Sequence, residues 1–220
     1  MRPAAPGPYT AFPPELDPAI GRWLSRGCGT HLPVESVIAL ADEHHMFLEG
    51  RGGACTCAAA LELRSDGSLT PRLLLTCQLV EPPPPREQGE RPPLRPLLER
   101  YFTALNDGDF AGAGSCFAEQ CLYVHPPYGP DEPPAVFRGR ATLVEQWPLR
   151  RGRRRVETSL ERCVQSGNHA FAQGRAAAGT FLSSVVLDAD GLISRYVAFY
   201  APDAAADTNT PGSLEEELAA

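Results

Sequence analysis

The chain has 220 residues, a formal net charge of -7 and 43% hydrophobic residues. This acidic balance argues against a nucleic-acid partner, and the hydrophobic fraction is large enough for a packed core. No apolar run approaches the ~18 residues needed to span a bilayer, and the first residues lack the apolar segment of a secretory signal. We therefore expect a cytoplasmic protein without a membrane partner.

The cysteines and histidines do not form a metal-binding pattern. Seven cysteines occur, an odd number without a CxxC pair, which is typical of reduced and buried thiols. Cys55 and Cys57 would share one strand face, but no histidine pair stands close to them in the sequence. His44 and His45 are adjacent, so in a strand they face opposite sides and cannot readily share a metal. We expect neither a metal site nor a cofactor.

The first part of the chain predicts a small unit that is mostly β. Residues 1–15 are Pro-rich and expected to be irregular, and a short helix is expected over Pro18–Ser25. An Asp-Gly pair at positions 66–67 is a strong hairpin signal between the last two strands. The predicted strands are Val34–Leu40, His45–Leu48, Cys57–Leu63 and Leu73–Val80. A stiff, Pro-rich linker follows at residues 83–95.

The second part predicts helices first and strands afterwards, an order that indicates an α+β domain. Apolar residues at helical spacing predict a helix over Leu97–Leu105, and Asp109 is suited to cap a second one, Phe110–Phe117. Arg150–Arg155 is a basic run for which we expect a solvated loop, with anion or phosphate binding as the alternative. The remaining predictions are a strand Leu122–His125, a helix Arg140–Trp147, strands Val156–Gln165, His169–Phe181 continuing as Leu182–Leu187, and Leu192–Tyr200, and a disordered acidic tail at 203–220.

The sequence nearly repeats itself at an offset of 124 residues. Between positions 20 and 67, eleven residues are identical to those 124 positions later, where about 4 would be expected at average residue usage. One inserted residue near Pro71 then puts Arg72 opposite Arg195. Residues 97–137 have no counterpart. We therefore expect one complete domain over residues 96–202 and a partial copy over residues 16–82. The matches include Trp23 with Trp147, His45 with His169 and Phe47 with Phe171.

The second unit resembles the NTF2-like superfamily, and within it the SnoaL-like polyketide cyclases and the ketosteroid isomerases. The resemblance rests on the order and spacing of short motifs between residues 95 and 202. It implies a cone, in which a curved antiparallel sheet carries helices on its concave side and encloses an apolar pocket. Residues 12–82 resemble the later part of the same fold. The motifs are Leu98-Glu-Arg-Tyr-Phe, Asn106-Asp-Gly-Asp-Phe, Cys116-Phe-Ala-Glu, Tyr123-Val-His-Pro, Phe137-Arg-Gly-Arg and Leu187-Asp-Ala-Asp-Gly-Leu-Ile.

The resemblance to the isomerases implies three catalytic residues. Their carboxylate base stands before a proline at the end of the first strand, and His125 takes that place here. Tyr101 matches a Tyr that donates a hydrogen bond to the developing enolate, and Ser183 replaces a protonated Asp that gives the second donor. A His, with an ordinary pKa of ~6.5, suits proton transfer at neutral pH. A Ser is a weaker donor than a protonated Asp, so the enolate would be less well stabilised.

Other aromatic residues are candidates for contact with a substrate, and three of the candidate residues have a structural alternative. Tyr101 lies on an apolar helical face, where a Tyr commonly packs in the core. His125 could instead bond the Pro-Pro-Tyr turn that follows it. Trp147 could be a core anchor beneath its helix. The predicted substrate-binding residues are Tyr123, Tyr128, Trp147 and Phe171.

Three functions remain open at this point. The first is a cofactor-independent isomerase, cyclase or dehydratase that binds a small apolar carbonyl compound. The second is a non-catalytic binding or scaffolding protein, in which the partial copy packs on the complete unit as an internal pseudo-dimer, or in which the chain forms a homodimer. The third is a remnant whose first domain has lost its beginning. A pocket filled by aromatic side chains would favour the scaffold.

Overall fold

We describe the fold from a computed structural model of the chain. Among the described residues no helix is long and apolar enough to cross a membrane. The predicted irregular start and acidic tail lie outside the described residues, as does most of the predicted helix Pro18–Ser25, of which Arg22 and Leu24 are described and helical. The structure describes residues 22, 24, 35–52, 55–63, 65, 69–78, 81, 83–87, 89, 91–127, 134–151, 157–176 and 179–201.

The first unit is a four-stranded antiparallel sheet whose spatial order follows the chain order. Its strands are β1 (Glu35–Ala41), β2 (His45–Gly52), β3 (Cys55–Leu63) and β4 (Leu69–Gln78). Apolar residues are buried on both faces of this sheet, so its strands show little alternation between buried and exposed positions. Ile38 and Leu48 lie on opposite faces of the sheet and are 5% and 0% exposed.

The second unit is a six-stranded sheet with three helices, and it confirms the predicted α+β class. The sheet order is β6-β5-β10-β9-β8-β7. One pair departs from the expected antiparallel sheet, because β5 and β10 run parallel. The elements are α1 (Leu94–Asp107), α2 (Phe110–Gly114), β5 (Phe117–His125), β6 (Ala135–Arg138), α3 (Arg140–Arg151), β7 (Thr158–Ser166), β8 (His169–Ala176), β9 (Gly179–Leu187) and β10 (Ile193–Ala201).

Local sequence signals explain the break between α1 and α2. Gly108 takes φ 76°, in the left-handed region that favours glycine, and closes α1. Asp109 then caps α2 as predicted, because its carboxylate accepts a hydrogen bond from the Gly112 N–H at 2.8 Å. The start of α1 lies three residues before the predicted one. Its first N–H, at Leu94, donates to the side chain of Gln165 at 2.7 Å, a long-range cap that periodicity does not reveal.

Several element boundaries differ from the sequence-based prediction. The predicted single strand from His169 to Phe181 is two strands, since β8 ends at Ala176 and β9 begins at Gly179. The run Gly-Arg-Ala-Ala-Ala-Gly between them lacks the usual turn residues Asn, Asp and Pro. Helix α3 continues past Pro148 to Arg151, although proline disfavours a helix interior. Strand β6 was not predicted.

The second unit has an interior core, which we define as the side chains between its helices and the concave face of the six-stranded sheet. Helix α1 contributes Leu98, Tyr101 and Phe102, and α3 contributes Leu143 and Trp147. All five side chains are at most 6% exposed. The interior core therefore occupies the position that the resemblance assigns to a ligand pocket.

A second core lies between the two sheets, whose faces pack against each other. The first unit contributes Ile38 and Phe47, and the second contributes Phe171 and Phe199, among others. Phe47 and Phe171 stack at its centre, with ring centroids 6.1 Å apart and planes at 21°. Burial of one such ring contributes about 1.5–3 kcal/mol, so this sheet-to-sheet contact is a substantial part of the fold's stability.

A buried ion pair joins the two sheets beside this core. The Arg195 guanidinium donates two hydrogen bonds to the Glu49 carboxylate, at 2.9 and 2.6 Å. The two side chains are only 4% and 1% exposed. Arg195 also donates to the Ser184 hydroxyl at 3.3 Å and to the Glu81 carbonyl at 3.2 Å. Breaking one partner of such a pair leaves a buried charge without compensation.

The two sheets share strand bounds and register at the repeat offset. Strands β2 and β8 begin and end 124 residues apart, and so do β3 and β9. The bulge in β1, between Ser36 and Ile38, recurs in β7 between Leu160 and Arg162. The last strands differ, because Arg72 is the bulged residue of β4, whereas Arg195 pairs with Val186. The strand pairing therefore does not place Arg72 and Arg195 at equivalent positions, and the predicted match between these two residues is wrong.

Candidate active site

His125 lies at the end of β5, with its side chain buried in the second unit. Its Nδ1 is 2.6 Å from the carbonyl oxygen of Pro126. Since a carbonyl only accepts, Nδ1 carries the proton and Nε2 carries the lone pair in the neutral ring. The ring stacks on Tyr123, with centroids 6.1 Å apart, and lies 4.9 Å from the ring of Tyr200.

The environment keeps His125 neutral at physiological pH. Burial lowers the pKa of His125 from 6.5 to about 4, although its hydrogen bond to Pro126 acts in the opposite direction. The positive charges of Arg150 and Arg151 contribute less to this lowering of the pKa than burial does. The residue is therefore a proton acceptor in its resting state, and its protonated form gives up the proton more readily than an ordinary imidazolium.

A cluster of aromatic rings fills the interior core beside His125. Tyr101 is 1% exposed and lies 5.1 Å from Phe117, 5.8 Å from Trp147 and 5.7 Å from Tyr196, measured between ring centroids. Tyr123 joins the same cluster, 5.7 Å from Trp147 and 5.4 Å from Tyr196. Edge-to-face and offset contacts at these separations are the favourable geometries for aromatic pairs.

Trp147 carries a buried donor within this cluster. Its side chain is 2% exposed, and Nε1 has no hydrogen-bond partner among the residues that the structure describes. A buried N–H without an acceptor costs about 1–3 kcal/mol, so it is an uncommon feature of a folded protein. A carbonyl oxygen placed beside Nε1 would remove this cost.

Ser183 and Ser184 point to opposite faces of β9, as strand alternation predicts. The Ser183 hydroxyl donates to the Tyr196 hydroxyl at 2.9 Å within the interior core. Ser184 instead contacts Arg195 on the sheet-to-sheet side. An O–H that accepts a hydrogen bond becomes a stronger donor in turn, so Ser183 can act on a ligand through Tyr196.

The structure brings together most of the residues predicted to form the site. His125, Tyr123, Trp147 and Tyr101 belong to one network of ring contacts, and Ser183 reaches that network through Tyr196. Phe171 does not belong to it. Ala170 and Ala172 face the interior core, so alternation turns Phe171 toward the other sheet. Tyr128 lies outside the described residues.

Sequence reasoning missed two residues at the site, Tyr196 and Arg150. Tyr196 lies in β10, where both sheet faces are apolar, so the sequence did not show that it faces inward. Arg150 belongs to the basic run predicted as a solvated loop, but α3 extends to Arg151 and holds it beside the Pro126 carbonyl. The basic residues in the last turn of α3 were the available signal.

One surface cleft lies away from the aromatic cluster. An open cleft of about 860 Å³ on the outer surface is lined by α2, α3 and the start of β5, and includes Glu119, Arg138 and Arg140. It contains none of the predicted site residues. Among the described residues, no group of three or more His, Cys, Asp or Glu side chains could hold a metal ion.

The comparisons with known proteins concern the second unit. Residues 98–201 match the family model described as a SnoaL-like domain. No curated protein has a sequence that matches this chain significantly.

Solved structures similar to this chain include a protein of unknown function with a cystatin-like fold from Methylobium petroleophilum PM1, at 18% identity and TM-score 0.42, covering 53% of this chain and 81% of that one. A SnoaL-like protein of unknown function from Burkholderia thailandensis E264 has 15% identity and TM-score 0.42, and the match covers 49% of this chain and 94% of that one. An LEH-like epoxide hydrolase from M. tuberculosis has 16% identity and TM-score 0.39, and the match covers 48% of this chain and 80% of that one.

Proposed function

Because residues 98–201 form a SnoaL-like domain of the NTF2-like superfamily, we propose that this domain binds a small, largely apolar carbonyl compound and moves a proton at the carbon next to the carbonyl. The observation that carries the proposal is His125, a buried neutral imidazole beside an aromatic cluster. Isomerisation, aldol-type cyclisation and dehydration share this first step. None of the three needs a redox cofactor.

His125 is the proton acceptor in the proposed reaction. Its Nδ1–H is held by Pro126, so Nε2 is the nitrogen that receives the substrate proton. A pKa of about 4 makes the ring a weak base. The Asp base of ketosteroid isomerase, at ~4.6, is similarly weak and supports the same kind of step. The buried imidazolium is unstable, which favours return of the proton to a second carbon of the substrate.

Donors in the aromatic cluster stabilise the oxygen that becomes negative in the enolate. Trp147 supplies an N–H that has no acceptor in the described part of the chain. Tyr101 lies beside Trp147, and Tyr196 accepts a hydrogen bond from Ser183, which makes the Tyr196 hydroxyl a stronger donor. Preorganised donors in a desolvated site contribute strongly to such reactions. The rings pack on one another, so a ligand must displace at least one of them.

A titration with equilenin tests this proposal, since the phenol oxygen of this fused-ring compound imitates a dienolate. We expect NMR shifts at the His125 ring and none at His169, a second buried histidine whose Nε2 donates to Pro84 at 2.9 Å outside the cluster. His125→Ala should weaken binding at least tenfold, and His169→Ala should not. Binding that is absent, or equal in the wild type and His125→Ala, would reject the proposal.

A second candidate is a non-catalytic scaffold built on an internal pseudo-dimer, in which the first unit is a partial copy of the second. It is supported by the coincidence of strand bounds and bulges at the repeat offset, and by the rings that fill the interior core. Phe47 and Phe171 occupy equivalent positions and stack on each other, as residues on a two-fold axis do. This function requires a monomer that binds no equilenin.

Sedimentation and urea unfolding test the pseudo-dimer. If the first unit covers the sheet of the second, the chain should sediment as a monomer and unfold in one transition. Phe171→Ala, which empties the contact between the sheets, should lower the stability of the whole chain by about 3–5 kcal/mol. Separate transitions for the two units would argue against the pseudo-dimer.

A further inference from the structure

One buried side-chain oxygen near the end of α1 has no hydrogen-bond partner. Asn106 is the last residue but one of this helix and is half-buried as a whole. Its Oδ1 atom is buried and accepts no hydrogen bond from the residues that the structure describes. Such an acceptor is uncommon in folded proteins, because nothing compensates the water that it loses. A ligand that brings an O–H or N–H group would supply the missing donor.

The turn that follows α1 does not use this oxygen. Asparagine often accepts hydrogen bonds from nearby backbone N–H groups, so a capping role is the competing explanation for Asn106. The first two N–H groups after the helix have other acceptors, however. The Gly108 N–H donates to the Leu105 carbonyl at 3.2 Å, and the Asp109 N–H donates to the Ala104 carbonyl at 2.8 Å. The backbone itself therefore closes the helix.

Helical spacing places Asn106 beside the interior core. It lies four residues after Phe102, on the same side of α1, and Phe102 belongs to that core. The ring of Phe102 is 5.6 Å from that of Phe181, which is 5.8 Å from the ring of Tyr200. Tyr200 in turn lies 4.9 Å from His125. A continuous series of ring contacts thus connects the turn before Asn106 with the proposed base.

A buried donor lies farther along the same helix. Trp147 Nε1 has no acceptor among the described residues, and the Trp147 ring is 5.8 Å from the ring of Tyr101. Tyr101 precedes Asn106 by five residues, over which an α-helix rises about 7.5 Å. An unpaired donor and an unpaired acceptor are therefore separated along α1 by roughly the length of two fused six-membered rings.

We propose that Asn106 accepts a hydrogen bond from a hydroxyl group of the ligand, so that the substrate is a hydroxylated carbonyl compound about two rings long. The inference rests on the proposed function, in which Trp147 donates to the carbonyl. A hydroxyl suits this place because it donates a hydrogen bond and stays neutral in an apolar site, whereas an ether oxygen only accepts. Asn106 determines specificity in this assignment, and His125 moves the proton.

Three probes with the same naphthalene body test the inference. We would measure the affinities of 2-acetylnaphthalene and of its 6-hydroxy and 6-methoxy derivatives by equilibrium dialysis. The wild type should bind the hydroxy ketone about tenfold more tightly than the unsubstituted ketone, as one hydrogen bond to a desolvated acceptor provides. The methoxy ketone should gain nothing. Asn106→Leu should remove the preference for the hydroxyl, while its affinity for the unsubstituted ketone stays within about twofold.

Two further variants separate the roles of the polar groups. Thr103→Val removes a hydroxyl from an exposed position of the same helix and should keep the wild-type preference. Trp147→Phe should weaken the binding of the hydroxy ketone and of the unsubstituted ketone by the same factor. The urea midpoint of Asn106→Leu should not fall, because Oδ1 makes no hydrogen bond in the described part of the chain. A lower midpoint would show a structural role and overturn the inference.

The binding results distinguish failure of this inference from failure of the proposed function. Equal affinity of the wild type for the three probes overturns the assignment of Asn106 and leaves the carbonyl site in place. A hydroxyl preference that survives in Asn106→Leu, or tighter binding of the methoxy than of the hydroxy ketone, does the same. If none of the three ketones binds the wild type, the inference and the proposed function fail together.

Discussion

The depressed pKa of His125 predicts that the folded protein loses stability as the pH falls below neutrality. The unfolded chain takes up a proton at this residue near pH 6.5, whereas the folded chain does so only near pH 4, because the ring is buried. Between these values the unfolded state binds more protons, so the free energy of unfolding decreases as the pH falls. The full contribution is present above pH 6.5.

The size of the effect follows from the two pKa values. At pH 5.0 the linkage relation gives a loss of about 2 kcal/mol relative to pH 7.5, and about 3 kcal/mol once both states are protonated. His169 is also buried and its pKa is lowered too, so it adds a loss of the same sign. A comparison with a His125 variant separates the two, because His169 titrates in both proteins.

The assay is urea unfolding of the wild type and of His125→Asn at pH 7.5 and pH 5.0. Asn is uncharged at both pH values and retains a donor for the Pro126 carbonyl. The wild type should lose about 2 kcal/mol more than the variant between the two pH values. If both proteins lose the same free energy, His125 is not desolvated in the folded state. The assignment of a neutral buried base would then be refuted.

Two further predictions concern packing and the ion pair between the sheets. Glu49→Gln should destabilise the chain by about 3–5 kcal/mol, because it leaves the buried Arg195 charge without a counter-ion, whereas Glu62→Gln, at an exposed pair, should cost less than about 1 kcal/mol. Gly174→Ala should lower the urea midpoint, since an added Cβ would lie 2.7 Å from the Phe181 ring and 2.0 Å from a β7 carbonyl oxygen. An unchanged midpoint in Gly174→Ala, or equal losses for the two glutamate variants, would contradict these readings.

The sequence was sufficient to predict the elements that have a local signal. The helix from the first motif and the Asp109 cap follow from spacing and capping chemistry, and the structure contains both. The α+β class follows from the order of these elements. Boundaries set by distant partners were missed, as at Leu94, whose N–H is capped by Gln165 from another strand.

The sequence predicts residues of the candidate site only where the alternation of side chains along a strand shows which sheet face they occupy. His125 and Tyr123 share a face because they are two residues apart on one strand, and both are buried. Phe171 and Tyr196 could not be assigned in this way, because their strands are covered by helices on one face and by a second sheet on the other. A strand that is buried on both faces has a nearly continuous run of apolar residues instead of alternating apolar and polar ones. Which face is the inner one depends on tertiary packing.

The contact between Phe47 and Phe171 has a consequence for how this molecule can change over generations. In a symmetric homodimer, one gene encodes both sides of an axial contact, so each substitution there alters both rings at once. Within a single chain the two rings are encoded separately, and each can change while the other is retained. Two nearby positions that lie 124 residues apart already differ in this way, with Glu49 buried in an ion pair and Gln173 hydrogen-bonded to Arg162 at 3.4 Å. In the pseudo-dimer proposed above, one half could thus specialise while the other half supports it.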